Sequence, residues 1–242
     1  MRVPVLGVEF DNVNMEEAAE RCMELMHSPG FHYMVTPNPE IVWECRKDAE
    51  LREIINGADV VTPDGIGIVL GARILGCPVK EKVGGADLTE ELLRRLSLEG
   101  GTAYFLGAKP GIAEKAARVM EEKYPGLRIV GTGDGYFTDD GPVVEKINAA
   151  GPQLLLVCLG ASKQEKWIKK YSSVLNARLA VGLGGSLDVY AGAVARAPES
   201  WQKLNLEWLY RLIKEPRRFK RQLRLPAFLF AVIFERLRGK KA

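Results

Sequence analysis

Short apolar runs alternate with helically spaced stretches along almost the whole chain, a pattern that predicts a mostly parallel sheet covered by helices. Strands are expected near 2–8, 32–36, 58–62, 102–107, 127–132, 153–159 and 178–183. Helices are expected over 14–27, 40–55, 66–75, 87–99, 111–124, 140–149 and 162–171. The run at 153–159 is apolar on both faces, as a central parallel strand must be. The predicted class is α/β, in a body covering residues 1–197.

From Pro198 the pattern changes, and residues 198–242 read as a helical, basic appendage. Helical spacing runs through Trp201, Leu204, Trp208, Leu209 and Leu212 and breaks at Pro216. A basic run follows, then an uncharged stretch from Leu225 to Phe234, too short for the roughly 20 residues a spanning helix needs. Apolar residues flanked by Arg and Lys suggest a segment lying in a membrane interface. A helical hairpin packed on the body is the alternative, and the two are compatible.

Charge sharpens this division. Residues 201–242 hold 12 of the 34 Lys and Arg but only three acids, a balance of +9, which leaves −6 on the rest of the chain. A basic end on a mildly acidic body points to a polyanion or an anionic membrane surface as its partner, and no nucleic-acid partner is expected. The four cysteines are scattered, which fits reduced thiols in the cytoplasm, and two histidines leave little capacity for a His-based metal centre. The N-terminus shows no signal peptide.

In open α/β sheets, ligands bind where the strands end, so the residues just past each strand carry the chemistry. In Thr36-Pro37-Asn38-Pro39-Glu40, two prolines fix the backbone around Asn38, whose amide can serve either a sugar or the next helix as its cap. In Thr62-Pro63-Asp64-Gly65-Ile66-Gly67, Asp64 can act as a general base or, again, as a cap. The turn Gly107-Ala108-Lys109-Pro110-Gly111 can present N–H groups to a phosphate, although it is no dinucleotide or Walker fingerprint. Past the next strand, Gly135 and Tyr136 offer a close backbone and a ring that can stack on a base or pack in the core. Ser162 and Glu165 read as a capping box, which leaves Gln164 free to reach a ligand. Asp188, after Gly184 and Gly185, can read ribose or uracil or belong to local turn chemistry.

Together and in this order, these motifs resemble the TagA/WecG/CpsF glycosyltransferases, glycosyltransferase family 26. The likeness rests on Val35-Thr-Pro-Asn-Pro-Glu40, Pro63-Asp-Gly-Ile-Gly67, Gly107-Ala-Lys-Pro-Gly111, Lys163-Gln-Glu-Lys-Trp167 and Leu206-Glu-Trp-Leu-Tyr-Arg211. It implies a Rossmann-like core and an inverting, metal-independent transferase without a cofactor. A UDP-sugar would be the donor and an undecaprenyl-diphosphate-linked sugar the acceptor. In the teichoic-acid branch, N-acetylmannosamine passes to N-acetylglucosamine. By position, Asp64 matches the base, Thr36, Asn38 and Gln164 match pocket residues, and Arg211, Arg218 and Arg221 match appendage arginines near the donor diphosphate. Two departures stand out: Lys82-Val83-Gly84-Gly85-Ala86-Asp87-Leu88 has Lys where the family has Arg, and Ser162 replaces a proline. Lys lacks the bidentate fork of Arg.

Physically, a transfer from UDP loads negative charge on the departing diphosphate. With no Asp-x-Asp motif, helix N-termini and arginines are expected to bear it. The implied location is the inner face of the cell membrane, peripherally bound, with room for a homo-oligomer. Competing readings are a sibling transferase using UDP-ManNAc uronic acid or UDP-glucose, a nucleotide-dependent oxidoreductase, and a non-catalytic peripheral membrane protein.

Overall fold

A computed structural model of the chain describes residues 1–214 and 224–239. Six parallel strands form the main sheet: β3 (His32–Val35), β4 (Val60–Val61), β5 (Thr102–Gly107), β6 (Arg128–Gly133), β7 (Leu154–Cys158) and β8 (Leu179–Gly182), in the order β4-β3-β8-β7-β5-β6. Strand β7 is buried throughout and pairs on both sides, Leu156 lying opposite Phe105 and Val181. Successive side chains of a strand point to opposite faces. Leu155 and Val157 therefore enter one core while Leu154, Leu156 and Cys158 enter the other. Two cores, one under each layer of helices, are what a both-faces-covered parallel sheet requires.

The helices are α1 (Met15–His27), α2 (Pro39–Cys45), α3 (Ala49–Asn56), α4 (Ile66–Leu75), α5 (Gly85–Leu98), α6 (Ile112–Lys123), α7 (Gly141–Ala150), α8 (Lys163–Tyr171), α9 (Ser186–Tyr190), α10 (Glu199–Lys203), α11 (Glu207–Lys214) and α12 (Arg224–Leu237). Three departures from the sequence pattern have local causes. The expected strand 2–8 is an antiparallel hairpin, β1 (Arg2–Val5) and β2 (Val8–Asp11), outside the main sheet. Leu6 and Gly7 both take positive φ and reverse the chain in two residues, while the apolar alternation runs on unbroken. The expected helix 40–55 is split because the Asp48 side chain accepts the Leu51 N–H at 2.9 Å and starts a new helix. The expected helical run from Trp201 is interrupted at Asn205, whose φ of 58° ends one short helix before the next begins.

At the sheet edge, Asp11 (5% exposed) accepts the Val61 N–H at 2.8 Å and pairs with Arg2 and Arg21. The hairpin thus covers part of the open ladder of β4. The last described helix packs on the body, as the hairpin alternative expected. Phe228 and Val232 of α12 are fully buried in one core cluster. They lie so close to α4 that a Cβ added to Gly71 would come within 3.1 Å of the Phe228 ring and 3.4 Å of Val232. Arg236 donates to the Leu75 carbonyl at the end of α4, and Arg224 pairs with Glu40 and Glu44 of α2.

Candidate active site

All six parallel strands deliver their carboxyl ends to one edge. Beside the ends of β3 and β4 lies a cleft of about 210 Å³, lined by Asn38, Asp64, Lys82, Gly84 to Asp87, Arg196, Glu207, Trp208 and Leu225, among others. Two layers of the chain meet there: strand-end loops of the body, and residues from the far end of the polypeptide.

Asp64 follows β4 and is half-buried in the cleft wall. The cap position of α4 belongs to Gly65, which has φ 86° and supplies no side-chain cap, so Asp64 is not spent on the helix. The bond from Val83 N–H to the Pro63 carbonyl (3.0 Å) draws the next loop alongside. That loop begins α5, whose cap position is Gly84, again without a side-chain cap. A Cβ added to Gly84 would lie 3.6 Å from Asp64 Oδ1 and 3.2 Å from Asp87 Oδ2, so both carboxylates crowd the same point. The starts of α4 and α5 both line the cleft, and unsatisfied N–H groups at such ends favour negative charge.

Asn38 is the cap of α2 and also stands in the cleft wall. Its Oδ1 accepts the N–H groups of Glu40 (3.0 Å) and Ile41 (3.1 Å), capping α2, and the residue also lines the cleft. Thr36 packs beneath the first turn of α5: a Cβ on Gly85 would approach its Oγ1 to 2.5 Å, so only glycine fits there. Thr36 thus supports the floor of the cleft without lining it.

Gln164 is not free. It is 3% exposed, its Nε2 donates to Glu165 (2.9 Å), and its Oε1 accepts the Gly184 N–H (2.9 Å). The amide holds the glycine turn after β8 and does not line the cleft. The expected Ser162–Glu165 capping box is also absent: Ser162 takes φ 65°, its side chain caps nothing, and its buried Oγ has no partner among the described residues. Glu165 is 2% exposed, and burial pushes its carboxyl above the ordinary carboxylate range.

The remaining predicted residues lie farther along the same edge. Strand β5 leads outward to β6 while β7 leads back toward β8, so the chain changes direction between β5 and β7. Gly107 sits there with φ 131°, where an added Cβ would meet the Cys158 carbonyl at 2.3 Å. Ala108 N–H donates to that carbonyl (3.2 Å), and Gly135 N–H to the Ala108 carbonyl (2.9 Å), so the loops after β5, β6 and β7 are stitched together. Gly111 stands at the uncapped start of α6. Tyr136 is 68% exposed, presenting its ring outward rather than to the core. Asp188 is half-buried in α9, its carbonyl accepting the N–H groups of Ala193 and Val194. Arg211 lies in α11, and Arg218 and Arg221 fall outside the described residues.

Residues not predicted as site residues also enter the cleft. Arg196, in the turn before Pro198, pairs with Asp87 of α5. Glu207, Trp208 and Leu225 supply the wall contributed by the appendage. Among the described residues no three His, Cys, Asp or Glu side chains are grouped to hold a metal ion, and no helix is long and apolar enough to cross a membrane.

Comparison with known proteins matches residues 3–242 to the family model described as "Glycosyl transferase WecG/TagA/CpsF family". Three relatives carry the name N-acetylglucosaminyldiphosphoundecaprenol N-acetyl-beta-D-mannosaminyltransferase. That of Bacillus spizizenii is 39% identical over 202 residues, covering 83% of this chain and 78% of the relative. That of Bacillus subtilis (strain 168) is 36% identical over 200 residues, with the same coverage. That of Staphylococcus aureus (strain MRSA252) is 31% identical over 243 residues, covering 100% of this chain and 96% of the relative.

Proposed function

This chain belongs to the WecG/TagA/CpsF family of glycosyltransferases, and we propose that it transfers N-acetylmannosamine from UDP-ManNAc to the 4-hydroxyl of GlcNAc-diphospho-undecaprenol. The enzyme is a hexosyltransferase, and the names of its relatives support both the sugar and the lipid-linked acceptor. The observation that carries the chemistry is Asp64, a carboxylate not spent on a helix cap, in a cleft where two uncapped helix N-termini converge.

In this reading Asp64 takes the proton of the acceptor hydroxyl as its oxygen attacks the anomeric carbon. The bond from that carbon to the UDP oxygen breaks, its electron pair leaves with the diphosphate, and the configuration inverts. The helix N-termini, Lys82 and the arginines of the appendage, Arg211, Arg218 and Arg221, stabilise the charge that appears, without a metal. Asn38 orients the sugar through an amide nitrogen that has no partner among the described residues. Thr36 and Gln164 act from behind, holding the start of α5 and the Gly184 turn. The nucleotide lies along the same edge, with Gly107, Gly111 and Gly135 permitting close approach, Tyr136 stacking on the base and Asp188 reading the nucleoside.

The appendage brings this cleft to the lipid. Pro226, Phe230, Ile233, Phe234 and Leu237 are all exposed, and their spacing of three and four places them in one outward stripe of α12. Arg238 stacks over Phe234 at 4.1 Å, where it can meet anionic headgroups.

The test is UDP release with a panel of UDP-sugars and a short-chain lipid-diphosphate-GlcNAc acceptor. UDP-ManNAc should support acceptor-dependent release well above UDP-ManNAc uronic acid or UDP-glucose. A preference for either of those donors would overturn the assignment.

A further inference from the structure

Among the described residues, the cleft is lined by four carboxylates (Glu40, Asp64, Asp87 and Glu207) and two cations, Lys82 and Arg196. Arg224 answers Glu40 from α12, and Asp64 and Glu207 each have an interaction partner of their own. Asp87 is the acid nearest the same point as Asp64, its Oδ2 lying 3.2 Å and Asp64 Oδ1 3.6 Å from where a Cβ on Gly84 would stand. Two ionised carboxylates so close oppose each other's charge, and a base for this transfer must be ionised when substrate arrives. Arg196 meets Asp87 directly. Its side chain is only 25% exposed, and Glu207 and Glu90 also face it. Burial opposes the Arg196 charge, but the Asp87 bond and these acids outweigh it and hold the guanidinium above its ordinary value.

Position adds a second consequence. Arg196 stands between α9 and α10, where the body ends and the appendage begins. The next residues are tied locally, the Gln202 side chain donating to the Ala197 carbonyl. Tyr190, at the end of α9, donates to the Ala86 carbonyl at 3.2 Å, beside Asp87. One ion pair therefore joins the first turn of α5, which lines the cleft beside Asp64, to the root of the appendage.

We propose that Arg196 is a positioning residue for sugar transfer: by neutralising Asp87 it leaves Asp64 as the ionised base of the cleft and fixes the appendage root against α5. The proposal rests on the assignment of Asp64 as base. It is tested by the pH dependence of kcat/KM for UDP-ManNAc with the short-chain acceptor, in the full-length enzyme. Arg196→Gln should move the acid limb up by about one pH unit, because Asp87 then loses its counter-charge and acts more strongly on Asp64. Asp87→Asn should move it down, and the double variant Asp87→Asn/Arg196→Gln should return it close to the wild-type position. An acid limb that stays put in Arg196→Gln, or is not restored in the double variant, overturns the proposal. Should Arg196→Gln fail to fold, the single Asp87→Asn variant decides: a limb that does not move down refutes it. Asp64→Asn is measured alongside. If it retains near-normal rate, the base assignment fails and the proposal with it; if it is inactive while the Arg196 limb is unmoved, only the proposal fails.

Discussion

Two phenylalanines of α12, two residues apart, face opposite ways and should respond oppositely to truncation. Phe228 is completely buried against Gly71 of α4, whereas Phe230 is 72% exposed. Phe228→Ala removes a ring packed against Gly71 of α4 inside a buried apolar cluster and leaves a cavity in its place. The lost transfer energy plus the cavity should cost about 3–5 kcal/mol. For a chain of this length each kcal/mol lowers the melting midpoint by about 2–4 °C, giving a fall of roughly 6–20 °C. Phe230→Ala should change stability by no more than about 0.5 kcal/mol, yet weaken co-sedimentation with vesicles containing anionic lipid. Denaturant unfolding separates the two: the Phe228 variant should shift the midpoint with an unchanged slope. A cost below about 1 kcal/mol for Phe228→Ala, or equal costs for both, would mean that α12 does not dock through this face. The same packing predicts that removal of residues 198–242 strips core from the body as well as taking away the cleft wall formed by Glu207, Trp208 and Leu225.

Three further outcomes follow from the geometry. Asp64→Asn should fold normally and lose about 10²–10⁴ in kcat, the range for a general base; a near-normal rate would return Asp64 to a structural part. Gly107→Ala combines a φ of 131° with a Cβ 2.3 Å from the Cys158 carbonyl. Backbone strain alone should cost about 1–3 kcal/mol, and displacement of the stitched loops should raise KM for the donor; unchanged stability and KM would show that the turn is not constrained. Glu165 is held above the ordinary carboxylate range by burial, so the folded state keeps its proton where the unfolded chain has released it. Its contribution is complete below the unfolded value and is lost as pH rises through the folded one. Glu165→Gln should therefore gain stability relative to wild type as pH rises above the ordinary carboxylate range, and parallel pH–stability curves would contradict the assignment.

Much of the fold was readable because it is encoded locally. The all-apolar run of β7, the periodic faces of α5 and α6 and the Pro-Asp-Gly corner at Asp64 each depend on a few neighbouring residues. Where reading failed locally, one side chain or one turn was responsible. The alternation through Leu6 and Gly7 carries no mark of a reversal, and the helix break at Asp48 depends on a single side-chain bond. The site was half legible. Asp64, Asn38 and the glycine turns announce themselves at strand ends, but the fate of Gln164 depends on Gly184 folding back beneath α8, twenty residues away in sequence.

By itself, the sequence determined which residues face inward and where the backbone must turn, since periodicity and φ preference act over a few bonds. Tertiary structure alone decided that Arg196 meets Asp87 across 109 residues, that Phe228 is core while Phe230 is surface, and that one cleft is built from both ends of the chain. Such contacts arise from where strands and loops end in space, and their energies depend on burial and charge that no short stretch of sequence can set.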